Sequence, residues 1–244
     1  MSASVRLKSS FLLAVVALVS VPLTAPKAAR AAQPAAAGQW QEGRNYFLVV
    51  PAQRTNLPPG KIEVTEVFSY GCPFCNNYAP FFAQLKAAMP PNVVFDYLPA
   101  AFSDAEDWPM YQRAFCTAQL LGVAEKVHDE VFKAVWKSGE IGYVDPVTKQ
   151  PKKNLPTIED AAKVYNRLAG VPAEKFLATA KSFAVDVRIK ADNALILAYH
   201  VDQTPTVIVN GKYRITLGSA GGTDQLISIV QSLVAKESAG QAAK

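Results

Sequence analysis

Apolar residues follow two rhythms along this chain. Ile62 to Ser69 is a run rich in Val, Ile, Thr and Phe, which predicts a strand buried on both faces. After it, Tyr78, Phe81, Phe82, Leu85 and Met89 recur at spacings of three and four, as on one face of a helix, and Pro90-Pro91 ends the pattern. Val93 to Leu98 predicts another strand, and Tyr46 to Val50 a short one upstream of a turn at Asn56-Leu57-Pro58-Pro59-Gly60. From Asp104 to Ala184 the strand rhythm disappears, leaving helical periods broken by loops. Within that block Thr157-Ile158-Glu159-Asp160 has the form of a capping box. Gly139 to Pro156, with three prolines, predicts a polar surface loop. Val185 to His200 predicts a helix. Thr206–Val209 and Tyr213–Leu217 flank Asn210-Gly211, a two-residue hairpin signal. Thr223 to Val234 predicts a closing amphipathic helix, and the polar tail from Glu237 is expected to fray.

The order is strand, strand, helix, strand, helical block, helix, hairpin, helix. Without the block, a β-α-β unit runs into a β-hairpin and a helix. The expected fold class is therefore α/β, a thioredoxin-like fold with an inserted all-helical domain. The expected boundaries are 32–102 and 185–236 for the thioredoxin-like domain, 103–184 for the insertion and 237–244 for a loose tail.

The first 31 residues read differently. Arg6 and Lys8 precede an apolar run, Phe11 to Val21, that is too short to span a bilayer, and Ala29-Arg30-Ala31 supplies a small-residue cleavage signature. This predicts a cleaved signal peptide over 1–31 and a mature start at Ala32. A retained anchor fits the short run less well, and no cysteine near the cut supports a lipoprotein. The formal charge of +5 then misleads, because four basic residues and no acid lie in 1–31 and the remainder carries about +1. No basic stripe argues for nucleic acid. Export places the chain where disulfides persist, yet three cysteines are too few for a disulfide scaffold.

Two of those cysteines, Cys72 and Cys75, sit in Phe-Ser-Tyr-Gly-Cys-Pro-Phe-Cys. Zinc needs about four ligands. Only Cys116, His128 and His200 remain, scattered and unmatched in spacing, so no metal is expected. As a staple, so short a loop would restrict little of the unfolded chain. A redox role has a positive mechanism. Pro73 suits a first helical position, which makes Cys72 the N-cap. Its sulfur can then accept from the N–H of Phe74 or Cys75 and feel the helix dipole, both of which favour thiolate. Cys75, one turn in, is the less accessible partner. Independently, Thr204-Pro205 stands at the entrance of a strand, where proline cannot donate to a sheet.

Here the chain resembles the DsbA-type thiol:disulfide oxidoreductases of the bacterial periplasm, which belong to the thioredoxin superfamily. Val64 to Cys75, Gly122-Val123-Ala124-Glu125-Lys126-Val127 and Val209-Asn210-Gly211-Lys212-Tyr213 carry the resemblance, and it runs over nearly all of the mature chain. It implies the helical insertion, a cis Pro205 beside the disulfide, and Glu66 as a buried acid able to exchange a proton with Cys75. It also implies Phe74, Thr204 and Pro205 at the substrate surface, and no cofactor. Relatives commonly carry His where this chain has Phe74, and often Val where it has Thr204.

Other residues invite plainer readings. Glu63 fits a surface acid better than Glu66 does. Cys116 predicts an inert core thiol, His128 a surface residue, and His200 a helix end. Tyr78, Phe81, Phe82, Phe102 and Trp108 are core candidates, some able to rim a groove. The expected function is oxidation of cysteine pairs in reduced, unfolded exported proteins through a Cys72–Cys75 disulfide. By resemblance, a quinone-linked membrane protein reoxidises it. The rivals are a reductase or isomerase of the same fold, and a peptide-binding chaperone without redox chemistry.

Overall fold

The computed structural model describes residues 39–103 and 107–242. The expected signal peptide, 1–31, and its cleavage site lie outside them. Among the described residues no helix is long and apolar enough to cross a membrane.

Five strands form one sheet in the order β1-β5-β4-β2-β3. Strand β2 (Ile62–Phe68) is central and buried at six of its seven positions, which is why it reads as nearly continuous Val, Ile, Thr and Phe. Helix α1 (Pro73–Ala87) carries the chain to β3 (Val93–Pro99), which lies parallel to β2 with Ile62 opposite Val93. On the other side β4 (Thr206–Val209) runs antiparallel to β2, and β5 (Tyr213–Thr216) antiparallel to β4. The edge strand β1 keeps only Phe47–Leu48 of the five residues expected, because only these pair with β5.

Period-two alternation divides β2 between two cores. Ile62 and Val64 pack with Phe81, Phe82 and Leu85 of α1 and Leu226, Ile229 and Val230 of α8 (Thr223–Ala242). Val67 faces the other way, toward Ile196 at the end of α6 (Phe183–Ala198) and the following Tyr199. Each such side chain contributes about 1.5–3 kcal/mol when fully buried.

Helices α2 (Trp108–Leu120), α3 (Ala124–Trp136), α4 (Ile158–Ala169) and α5 (Ala173–Ala180) fill the stretch between β3 and α6. Their core of Tyr111, Phe115, Val131, Phe132, Tyr165 and Phe176 is continuous with Phe68 and Tyr70 at the end of β2, and with both cysteines. The capping box read at Thr157 is present: its hydroxyl accepts from Asp160 N at 3.3 Å, and the Asp160 carboxylate accepts from Thr157 N at 3.1 Å. A four-residue turn, α7 (Leu217–Ala220), links β5 to α8.

Three features differ from the sequence reading. Helix α8 does not fray at Glu237 but continues to Ala242, because the Glu237 carboxylate is buried and accepts from Asn210, Lys212 and Tyr213. The 139–156 segment is not wholly a surface loop, since Ile141 is buried against the helical core. The hairpin turn has left-handed Asn210 and Gly211 as expected, with Lys212 N bonded to Val209 O at 3.0 Å. However, Val209 pairs with Tyr213, so three residues rather than two lie between the paired positions.

Candidate active site

The junction of β2 with α1 lies where the sheet core meets the helical core. Gly71 is the residue that lets it close. A Cβ there would lie 2.8 Å from the Trp108 indole and 3.1 Å from Asp107 Oδ1, so any larger residue would push α2 away. Cys72 is the N-cap of α1 with Pro73 at the first helical position, and its sulfur accepts from Cys75 N at 3.4 Å. All three cysteines are free thiols.

Cys72 is 3% exposed and Cys75 0%, so burial alone barely separates them. Electrostatics does. As a thiolate, Cys72 receives a hydrogen bond from the Cys75 thiol. Despite desolvation, further bonds from Thr204 and from the N–H groups of Cys75 and Phe74 bring its pKa down from 9.0 to about 6. As a thiol it donates to Thr204 O, 3.4 Å away. Cys75 is pushed well above the usual thiol range by burial, then by its hydrogen bond to Cys72 and by the nearby negative charges of Cys72 and Glu66. One sulfur is thus poised to ionise while the other holds its proton.

The Thr204–Pro205 bond beside Cys72 is cis, as the resemblance implied. Pro205 is buried and Thr204 half-buried. Val50–Pro51 is also cis, and no feature of the sequence singled it out. Phe74 projects from the first turn of α1 and is 59% exposed; Phe102, 44% exposed, pairs with Trp108 at 6.1 Å between ring centroids. Of the other aromatic candidates, Phe81 and Phe82 are core residues, and Tyr78 is half-buried.

Glu66 is buried at 2% exposure in β2, on the side that faces α1. Burial raises its pKa well above the carboxylate range, and the charges of Asp129 and Cys72 raise it further. It lines a polar cavity of about 150 Å³ shared with Lys86, Tyr97, His128 and Asp129. Glu63, expected as a surface acid, is instead half-buried, and burial raises its pKa.

His128 is a correction. It is not a surface residue but 6% exposed, caged by aromatic rings with Tyr97 4.4 Å away, and its Nδ1 lies 3.0 Å from the Tyr70 hydroxyl. Burial, aided by the positive charge of Lys86, lowers its pKa to about 3 and keeps the ring neutral. A signal was present: His128 falls on the apolar stripe Ala124, Val127, Val131, Val135 at helical spacing. Cys116 is fully buried and donates to Asp192 Oδ2 at 3.4 Å; burial and the carboxylate hold it as an inert thiol. His200 lies two residues past α6 with a left-handed backbone, φ 53°.

A cysteine pair of opposed acidities at a helix start, beside a strand-entry proline in a thioredoxin-like fold with a helical insertion, defines a thiol:disulfide oxidoreductase. Known proteins narrow the class. The thiol:disulfide interchange protein DsbA of Pseudomonas aeruginosa is 38% identical over 181 residues, covering 74% of this chain and 78% of that one. Its namesake from Pseudomonas syringae pv. tomato is 37% identical over 84% of this chain and 88% of its own. The crystal structure of Pseudomonas aeruginosa DsbA superposes with a TM-score of 0.71 at 35% identity, covering 85% of this chain and 99% of the other. No protein-family model matches the chain. The chain belongs to the DsbA family of thiol:disulfide interchange proteins.

Proposed function

We propose that this protein oxidises cysteine pairs of newly exported proteins, with Cys72 as the attacked sulfur. The observation that carries this reading is the contrast between a Cys72 thiol lowered to about 6 and a Cys75 thiol raised well above its ordinary value. A substrate thiolate attacks Cys72 Sγ in the Cys72–Cys75 disulfide, forming a substrate–Cys72 bond as the S–S bond breaks. Cys75 leaves with the electron pair and takes up a proton, for which the buried carboxyl of Glu66 is the near source. A second substrate thiolate then attacks the substrate sulfur of the mixed disulfide, and Cys72 leaves as a stabilised thiolate. The substrate has lost two electrons and the protein has gained them. Phe74, Thr204 and Pro205 surround Cys72 and form the surface on which the substrate lies.

The thioredoxin-like unit, 32–102 with 185–236, carries the chemistry, and the helical insertion, 103–184, covers one side of it. The signal pattern over 1–31 supports delivery to the periplasm. There a quinone-linked membrane protein, by family analogy, would reoxidise the dithiol. The test is equilibration with glutathione buffers and turnover with a reduced client protein. Cys72→Ser should abolish oxidation and Cys75→Ser should accumulate client mixed disulfides. Full activity in Cys72→Ser would end this reading, and a strongly reducing equilibrium would favour a reductase.

A further inference from the structure

We propose that the cavity beside Gly71, between the end of α3 and the 139–151 segment, receives an aromatic side chain of the polypeptide whose sulfur is joined to Cys72. The proposal rests on the reading of Cys72 above. The cavity measures about 190 Å³, and its walls include Val135, Trp136, Tyr143, Val144 and Pro146. A dry apolar cavity of about 150 Å³ is enough to bind benzene. Sites for whole small molecules start at roughly 300 Å³. The space therefore suits one ring and little more.

The walls are built before any substrate arrives. Ile141 is buried, and its carbonyl and Asp107 Oδ2 share the single Tyr111 hydroxyl proton. Lys152 N donates to Tyr143 O at 2.8 Å, and Val144 pairs with Pro151. Asp145 Oδ1 accepts from Val147 N at 2.9 Å and Thr148 N at 2.8 Å, closing the tip of the segment. Gly142 presses against the carbonyl of Val135, where a Cβ would collide, so the segment seats directly on α3. Trp136 is fixed by its indole N–H, which donates to Tyr70 O at 2.8 Å. A preformed wall requires little ordering on binding.

Location supplies the occupant. Gly71 forms part of the cavity wall and immediately precedes Cys72, one Cα spacing of about 3.8 Å away. A chain tethered to Cys72 by a disulfide passes the cavity mouth within reach of its own neighbouring side chains. The cavity thus continues the surface at which substrate must already sit; its walls are mostly apolar, and Lys149, the cation among them, can lie against the face of a ring, so the lining suits an aromatic side chain. Asp107, the acid in the wall, has its Oδ2 2.6 Å from the Tyr111 hydroxyl, whose proton it shares with the Ile141 carbonyl.

The experiment uses nine-residue peptides with a single cysteine and phenylalanine or serine at each flanking position in turn, reacting with the oxidised full-length mature protein. At one or two positions phenylalanine should raise the second-order rate by about tenfold, the lower end of what burying a ring brings. Val144→Trp, which fills the cavity, should remove that preference while rates with the serine peptides and with dithiothreitol stay unchanged. In the wild-type chain the Trp136 indole N–H resonance should shift with the phenylalanine peptide and not with the serine one. Equal rates for both peptide series with an unmoved Trp136 signal would overturn the proposal, as would a preference that survives in Val144→Trp. Turnover of dithiothreitol alongside such a result confines the failure to the cavity. Failure to oxidise dithiothreitol at all would overturn both this proposal and the redox reading.

Discussion

The donors that hold the Cys72 thiolate come from Cys75, Thr204 and two helix N–H groups, and none of them is a cation. Phe74 occupies the exposed position beside this sulfur where an imidazole could stand. Phe74→His should therefore lower the Cys72 pKa below its present value and make the disulfide more oxidising. Each 30 mV corresponds to about 1.4 kcal/mol for two electrons. A thiolate absorbance titration beside a glutathione equilibrium measures both; no movement in either would mean that the present donors already set the site. His128 gives a second expectation. Its folded pKa of about 3 lies below the ordinary 6.5, so the unfolded chain takes up a proton that the folded chain refuses. Stability from this group is complete above 6.5 and falls with pH down to about 3, by up to about 1.4 kcal/mol per unit. Urea unfolding at pH 6 and pH 4 should show a shallower loss in His128→Phe than in the wild type, whatever the variant's absolute stability. Equal slopes would contradict the buried neutral ring.

Among the elements, α8 depends on a contact that local sequence does not reveal. Burial opposes the Glu237 charge, but hydrogen bonds from Lys212 at 2.5 Å, Asn210 at 2.6 Å and Tyr213 at 2.9 Å outweigh it and hold the carboxyl below its usual range. All three donors belong to the β4–β5 turn or to β5, so this one carboxylate ties the C-terminal helix to the hairpin. Glu237→Ala leaves three donors without their acceptor and should cost about 3 kcal/mol, given roughly 1.5–3 kcal/mol for each bond to a charged group and partial replacement by water. Denaturant unfolding reads this directly, and hydrogen exchange should show 235–242 opening first. A loss below about 0.5 kcal/mol would mean that α8 is held by Leu226, Ile229, Val230 and Leu233 alone.

For the whole molecule, the cysteine pair couples redox state to stability. In the reduced form the Cys72 thiol is lowered from 9.0 to about 6, so between those values the folded chain binds fewer protons than the unfolded one. That contribution is fully present above pH 9, shrinks as pH falls through this window, and is absent below pH 6. The disulfide form has no such group. The stability of the reduced protein relative to the oxidised one should therefore rise from pH 5 to pH 8, and the disulfide should become correspondingly easier to reduce. Paired denaturation curves of the two forms at both pH values test this, and a gap independent of pH would remove the thiolate as the source of oxidising power.

Much of this was legible in the residues. Period-two and period-3.6 patterns located β2, α1, β3 and the helical block, because each element must turn its apolar face toward a core. The N-cap position of Cys72 followed from Pro73, whose missing N–H costs nothing in the first turn. Cys75, one turn along α1, was placed at depth by the same geometry. The resemblance to a family supplied Glu66 and the cis Thr204–Pro205 bond, which no local pattern could. What escaped was decided by contacts between residues distant in the chain. Glu237 looked like a solvated tail residue until the hairpin's three donors closed over it. His128 looked polar until Tyr70 and a cage of rings from β2, β3, α2 and α3 surrounded it. The 139–156 segment looked like a surface loop until Ile141 and Gly142 anchored it on α3. In each case the chain specifies which groups are available, but burial and partnership are properties of a packed interior, and only the tertiary arrangement brings those partners within bonding distance.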